Sequence, residues 1–84
     1  MEQDHIIAEV AQIIRDVLEL PDLEVTAATH AENVEQWDSF NQVNIVVALE
    51  ARFGIKFKTS EFEVVRNVGQ LVQLIQEKLE RQSG

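Results

Sequence analysis

The chain has 84 residues, fifteen acidic and seven basic side chains, a net charge of -8 and no cysteine. That length implies one domain, residues 1–84, with one modest core and little room for separate substrate and cofactor lobes. The charge disfavours nucleic acid and anionic lipid as partners, and the missing thiol excludes disulfides, thiolate zinc sites and any thioester on the polypeptide itself.

The charge is also uneven. Residues 1–50 carry eleven carboxylates and one base, Arg15, whereas residues 51–84 carry four carboxylates and six bases. Partners with basic patches are expected for the first part, although most of these charges read as solvated helix faces. No run of ~18 apolar residues suits a membrane span, and no signal-peptide pattern opens the chain. The expectation is a soluble cytoplasmic monomer that does not insert into membranes.

Ile6, Val10, Ile13 and Val17 recur at helical spacing, widened by Ile7, Ile14 and Leu18. They predict a first helix from about Gln3 to Leu20, with Pro21 just past its end. Residues 21–37 show no period and predict a long loop, a length more often functional than idle. Trp37 is the expected anchor at its end. Asp38 or Ser39 then caps a second helix. The run Ile45-Val46-Val47-Ala48-Leu49 continues into Glu50-Ala51-Arg52-Phe53, with Gly54 as a left-handed stop. That helix is apolar over most of its circumference and is expected to be central and largely buried.

Ile55-Lys56-Phe57-Lys58 alternates, which predicts an extended connector with Ile55 and Phe57 inward. Ser60 with Glu63 reads as a capping box opening a short third helix, with Phe62, Val64 or Val65 facing in. Asn67 with Gln70 repeats the signal and opens a last helix to about Arg81, with Val68, Leu71, Val72, Ile75 and Leu79 on one face. The predicted fold is all-α: a four-helix bundle with three longer helices and one short third helix.

No metal site is expected. Asp22 to Asn33 superficially has the look of a calcium loop, but Ala27 stands where glycine is needed and Asn33 where a bidentate glutamate is needed. There is no phosphate-cradling glycine loop. His5 and His30 are the only histidines, and no spacing turns either into a triad partner of Ser39. They read as surface histidines.

Asp38-Ser39-Phe40 is the chemical focus. An Asp-Ser pair before a helix usually does nothing but cap it. Here the pair follows a long loop, opens a helix ending in Leu49-Glu50-Ala51-Arg52-Phe53-Gly54-Ile55, and precedes a short helix and a Val-led one. From Ile6 to Leu79 this arrangement resembles the acyl carrier proteins. The resemblance implies a carrier and not an enzyme. It implies that Ser39 receives 4'-phosphopantetheine from coenzyme A through a phosphopantetheinyl transferase, and that Asp38 contacts that transferase or helps orient its magnesium. A helix start suits both needs, because the hydroxyl is reachable there and the new phosphodiester meets the positive end of the dipole.

The resemblance further implies acyl groups held as thioesters and exchanged with loading and transferring enzymes of fatty-acid, lipid or specialised metabolite synthesis. Phe40, Val43 and Glu50 are the expected partner contacts. Val47, Leu49, Phe53, Phe57, Phe62 and Val65, with Phe40 and Val43, are candidates for an acyl-sheltering cavity. The second helix departs from the family's carboxylate-rich pattern: of Asn41, Asn44, Glu50, Ala51 and Arg52, only Glu50 is acidic. This points to a specialised carrier with a dedicated partner set. Two other readings stand beside it. Asp38-Ser39-Phe40 and Ser60-Glu61-Phe62 also look like an aminoacyl carrier, of the D-alanyl or peptidyl kind, and the chain also fits an unmodified helical interaction module.

Overall fold

The computed structural model describes residues 3–30, 32, 34–63, 65 and 67–83, with the side chains of Phe62, Glu63, Gln82 and Ser83 outside that description. Four helices follow one another: α1 (Gln3–Leu18), α2 (Ser39–Phe53), α3 (Thr59–Glu63) and α4 (Val68–Ser83), with no strand among the described residues. α1 packs against both α2 and α4.

α1 buries Ile6, Val10, Ala11, Ile14 and Leu18. The stripe therefore runs at steps of four through Ile6, Val10, Ile14 and Leu18. Ile7, Ile13 and Val17 pack along its margins, so within the wide stripe read from the sequence Ile14 and Leu18 are buried and Ile13 and Val17 flank them. The helix also ends two residues earlier than its pattern suggests. Glu19 takes a left-handed conformation, φ 57°. Leu20 N–H then reaches back to Arg15 O at 3.0 Å and Glu19 N–H to Asp16 O at 3.3 Å. This pair of bonds closes the last carbonyls of the helix as a Schellman motif.

The long loop is held at several points. The Arg15 guanidinium donates through Nε to Leu23 O at 2.7 Å. Thr26 N–H donates to Thr29 Oγ1 at 2.8 Å, and Ala28 N–H to Thr26 Oγ1 at 3.2 Å, which folds residues 26–29 into a turn. That turn presents two carbonyls to the start of α4. Val68 N–H donates to Thr29 O and Gly69 N–H to Ala27 O, each at 2.8 Å. The first amides of a helix lack partners within it, so the loop completes α4. The approach is close enough that a Cβ at Gly69 would lie 3.1 Å from Ala27 O and 3.2 Å from Ala27 Cβ.

α2 departs most from its sequence pattern. Only Ile45, Leu49 and Phe53 are buried, at steps of four. Phe40, Val43 and Val47 are 75%, 60% and 58% exposed. The helix is not the enclosed central element its composition suggests, because it packs with one stripe on α1 while the five-residue α3 is too short to cover the opposite face. α2 stops at Gly54, φ 65°, whose N–H donates to Glu50 O at 2.8 Å.

Beyond Gly54 the connector is extended, with Ile55 buried and Phe57 packed against the core. The start of α3 is shifted from the Ser60–Glu63 box. Glu61 Oε1 accepts from Lys58 N–H at 2.8 Å, so the box closes on Lys58 and Glu61, three residues apart. Lysine is an unusual cap, and the reciprocal glutamate bond makes it serve. Glu61 also meets Lys78 Nζ at 2.9 Å, and that ammonium lies 5.6 Å from the Phe57 ring centre. One lysine of α4 thereby holds both α3 and the connector. Asn67 caps α4 as its sequence suggests, with Oδ1 accepting from Gln70 N–H at 2.8 Å. Of the inward positions expected for the third helix, Val65 is half-buried, while Val64 and the Phe62 side chain lie outside the described residues.

Ile6, Val10, Ile14, Ile45, Leu49, Ile55, Val68, Leu71 and Ile75 form the sealed centre. Burying each such side chain contributes about 1.5–3 kcal/mol relative to exposure. No polar residue is buried among the described residues.

Candidate functional site

Ser39 is the first helical residue of α2, and its side chain is exposed. The cap is Asp38, in extended conformation at φ -98° and ψ -176°, whose Oδ1 accepts from Asn41 N–H at 2.9 Å. Asp38 O accepts from Gln42 N–H at 2.8 Å. Capping is therefore performed by the aspartate, and the Ser39 hydroxyl is not needed for it.

The segment leading to Ser39 is fixed from both sides. Trp37 N–H donates to Val34 O at 3.0 Å, and its indole Nε1 donates to Gln42 Oε1. Asn41 Nδ2 donates to Gln36 O at 2.8 Å. Trp37 is half-buried against the core. It anchors the loop end as its place in the sequence suggests, and Gln42 and Asn41 hold that anchor in register.

An open apolar groove of about 380 Å³ runs beside the first half of α2, lined by Gln42, Val43, Val46, Val47, Phe57, Lys58 and Thr59. It gathers Val43, Val47 and Phe57 from the residues expected to shelter an acyl chain. Leu49 and Phe53 do not line it; they belong to the buried core on the α1 side of the helix. Val65 lies in a separate depression with Glu61, Gln70, Gln73, Leu74 and Glu77. Phe40 is outside the groove as well, standing exposed next to Ser39. The Phe62 side chain falls outside the described residues. Gln42, Val46, Lys58 and Thr59 complete the wall, and none of them belongs to the residues expected there from the sequence. For Val46 the signal was present, since it lies three residues after Val43, one turn along the same side of the helix.

Glu50 was expected to face partners, yet its Oε2 accepts from Phe57 N–H at 2.9 Å and the residue is half-buried. It fastens the connector that carries the groove wall. Arg52 is also engaged: its Nε donates to Glu9 Oε2 on α1. That bond is the main cause holding the Glu9 carboxyl below its ordinary range, opposed by partial desolvation. His5 Nε2 stands 3.7 Å from the other oxygen of Glu9. Glu61 is likewise held below its ordinary range, first by the Lys78 hydrogen bond and next by the Lys58 amide.

This arrangement suits attachment better than catalysis. A reachable hydroxyl sits at the positive end of a fifteen-residue helix, where an added phosphodiester is favoured. An apolar groove lies beside the first half of the same helix. Such an arrangement is chemically suited to holding an attached anionic group. Comparison with known proteins agrees: the family model described as the phosphopantetheine attachment site matches residues 8–75. The chain belongs to the acyl carrier protein family. It is 32% identical over 79 residues to the acyl carrier protein of Petrotoga mobilis, covering 94% of this chain and 93% of that one. It is 36% identical over 78 residues to the acyl carrier protein of Rhodococcus erythropolis, covering 93% and 85%. It is 35% identical over 81 residues to the meromycolate extension acyl carrier protein of Mycolicibacterium smegmatis, covering 96% and 81%. The solution NMR structure of the holo acyl carrier protein from Geobacter metallireducens matches the fold with a TM-score of 0.86 and 32% identity, covering 92% of this chain and 88% of that one. The protein is a carrier and not a catalyst, its prosthetic group is covalently attached 4'-phosphopantetheine, and its interactions are with the transferase that supplies the group and with acyl-handling enzymes.

Proposed function

We propose that Ser39 is the attachment point, and that the chain acts as a cytoplasmic monomer carrying acyl groups for lipid synthesis. The observation that carries this reading is the division of labour at the start of α2. Asp38 takes the capping role, which leaves the Ser39 oxygen exposed for modification. The bound group supplies the thiol on which acyl chains are held as thioesters. Ser39 contributes the oxygen that replaces the nucleotide of coenzyme A on phosphorus, and its proton passes to the transferase. Asp38 remains at the site as an exposed carboxylate, available to the transferase and its magnesium. Val43, Val47 and Phe57 offer apolar cover next to the attachment point. Support for lipid synthesis comes from the similarity to acyl carriers, one of them a meromycolate extension carrier. No helix among the described residues is long and apolar enough to cross a membrane.

Intact-mass measurement after incubation with coenzyme A, magnesium and a promiscuous phosphopantetheinyl transferase tests the attachment. The wild type should gain one phosphopantetheine, and the Ser39→Ala variant should gain none. An unchanged wild-type mass beside a labelled control carrier would overturn the reading. Loading of the holo-protein by an adenylating aminoacyl ligase in preference to an acyltransferase would replace the acyl cargo with an aminoacyl one.

A further inference from the structure

The face of α2 beside Ser39 is zoned. On the loop side of Ser39, Glu32, Glu35 and Asp38 are exposed carboxylates. Along the helix the exposed surface is apolar or neutral, with Phe40, Val43, Asn44, Val47 and Ala51. Past it stand Lys56 and Lys58, both exposed, with Lys58 on the rim of the groove. The other charges nearby are already engaged. Glu50 accepts from the Phe57 amide, Arg52 is paired with Glu9, and Lys78 is paired with Glu61. Neither Lys56 nor Lys58 forms a salt bridge among the described residues, although the Lys58 charge also acts on Glu61 at longer range.

Apolar side chains this exposed beside a functional group mark a contact surface, and the charges around them select what docks there. We infer that this face docks on acyl-handling enzymes whose surface is apolar opposite Val43 and Val47 and bears carboxylates opposite Lys58. Basic groups on such an enzyme are confined to the side where Asp38 and Ser39 enter. A uniformly basic docking face is disfavoured, because it would set cations against Lys58 while α2 offers no free carboxylate to meet them. The inference rests on the reading of Ser39 as the attachment point.

The test uses octanoyl-loaded holo-protein and a ketoacyl synthase with a basic carrier-docking face. A second form of that synthase has the docking arginines that face Lys58 replaced by glutamate. Intact mass first confirms that the carrier is loaded, so a failure of attachment is seen before any docking is measured. Turnover of octanoyl-pantetheine, which needs no docking, sets the intrinsic rate of each synthase. After that correction, the wild-type carrier should show a kcat/KM about tenfold higher with the glutamate-faced synthase than with its parent. Lys58→Glu should reverse that preference. Val43→Ser with Val47→Ser should lower kcat/KM with both synthases. An equal or better rate with the basic parent, or a preference that Lys58→Glu does not move, would overturn the inference.

Discussion

The carboxylate of Glu50 and the amide of Phe57 meet at 2.9 Å, joining the last turn of α2 to the strand-like segment that follows it. The two lie seven positions apart, with the left-handed Gly54 between them. The bond sets the direction of the connector after the turn, and with it the wall that Phe57 and Lys58 give the groove. Glu50→Ala should lower stability by about 1 kcal/mol and speed amide exchange at Phe57. Glu50→Gln, which retains an acceptor, should recover much of both.

At Ser39 and Asp38 the effects of substitution should separate. Ser39→Ala keeps the Asp38 cap and should change the melting temperature little while abolishing modification. Asp38→Ala removes the acceptor for Asn41 N–H and should cost about 1 kcal/mol. Thermal melts and intact mass, read on both variants, distinguish the two roles.

Two helix ends use the left-handed conformation with different residues. Gly54 adopts it without a Cβ, and a Cβ built there meets nothing within 4 Å. Gly54→Ala should therefore cost about 1 kcal/mol from backbone torsion alone. Glu19 occupies the equivalent place in α1 with a full side chain. Glu19→Gly should stabilise by roughly 0.5 kcal/mol, the relief of torsion being partly offset by a freer unfolded chain. Chemical denaturation of both variants checks the opposite signs.

Acid should weaken the molecule through Glu9 and Glu61. Both carboxyls titrate lower in the folded chain than in the unfolded one. Between the folded and unfolded values the unfolded chain binds more protons, so stability rises with pH across that window. The contribution is present in full above the unfolded value of about 4.3 and is lost as pH falls through the lowered folded values. Glu9→Gln with Glu61→Gln should melt lower than the wild type at pH 7, and the gap should close towards pH 3.

Local chemistry was legible in the sequence. The periodicity of α1 and α4, the Asn67 cap, the Gly54 stop and the exposed serine after an aspartate all depend on neighbours a few positions apart. What escaped depends on partners further away. The exposure of Val43 and Val47 follows from the shortness of α3, which the pattern of α2 does not encode. The cap of α3 fell on Lys58 because Glu61 can reach its amide, whereas side-chain preference pointed to Ser60. Glu50 looked like a surface acid because the amide it binds belongs to the next segment. At the start of α2 the aspartate cap and the exposed serine after it were readable from neighbouring residues, whereas the groove wall was only half readable, since Leu49 and Phe53 share a helix with Val43 and Val47 but lie in the buried core.

The carbonyls of Ala27 and Thr29 finish a helix that begins some forty positions later. The first two amides of the final helix therefore gain these partners only when a stretch made early in synthesis swings across to meet them. Neither half of the polypeptide should hold its shape when expressed alone, and a cut anywhere in residues 26–29 should be felt at the far terminus.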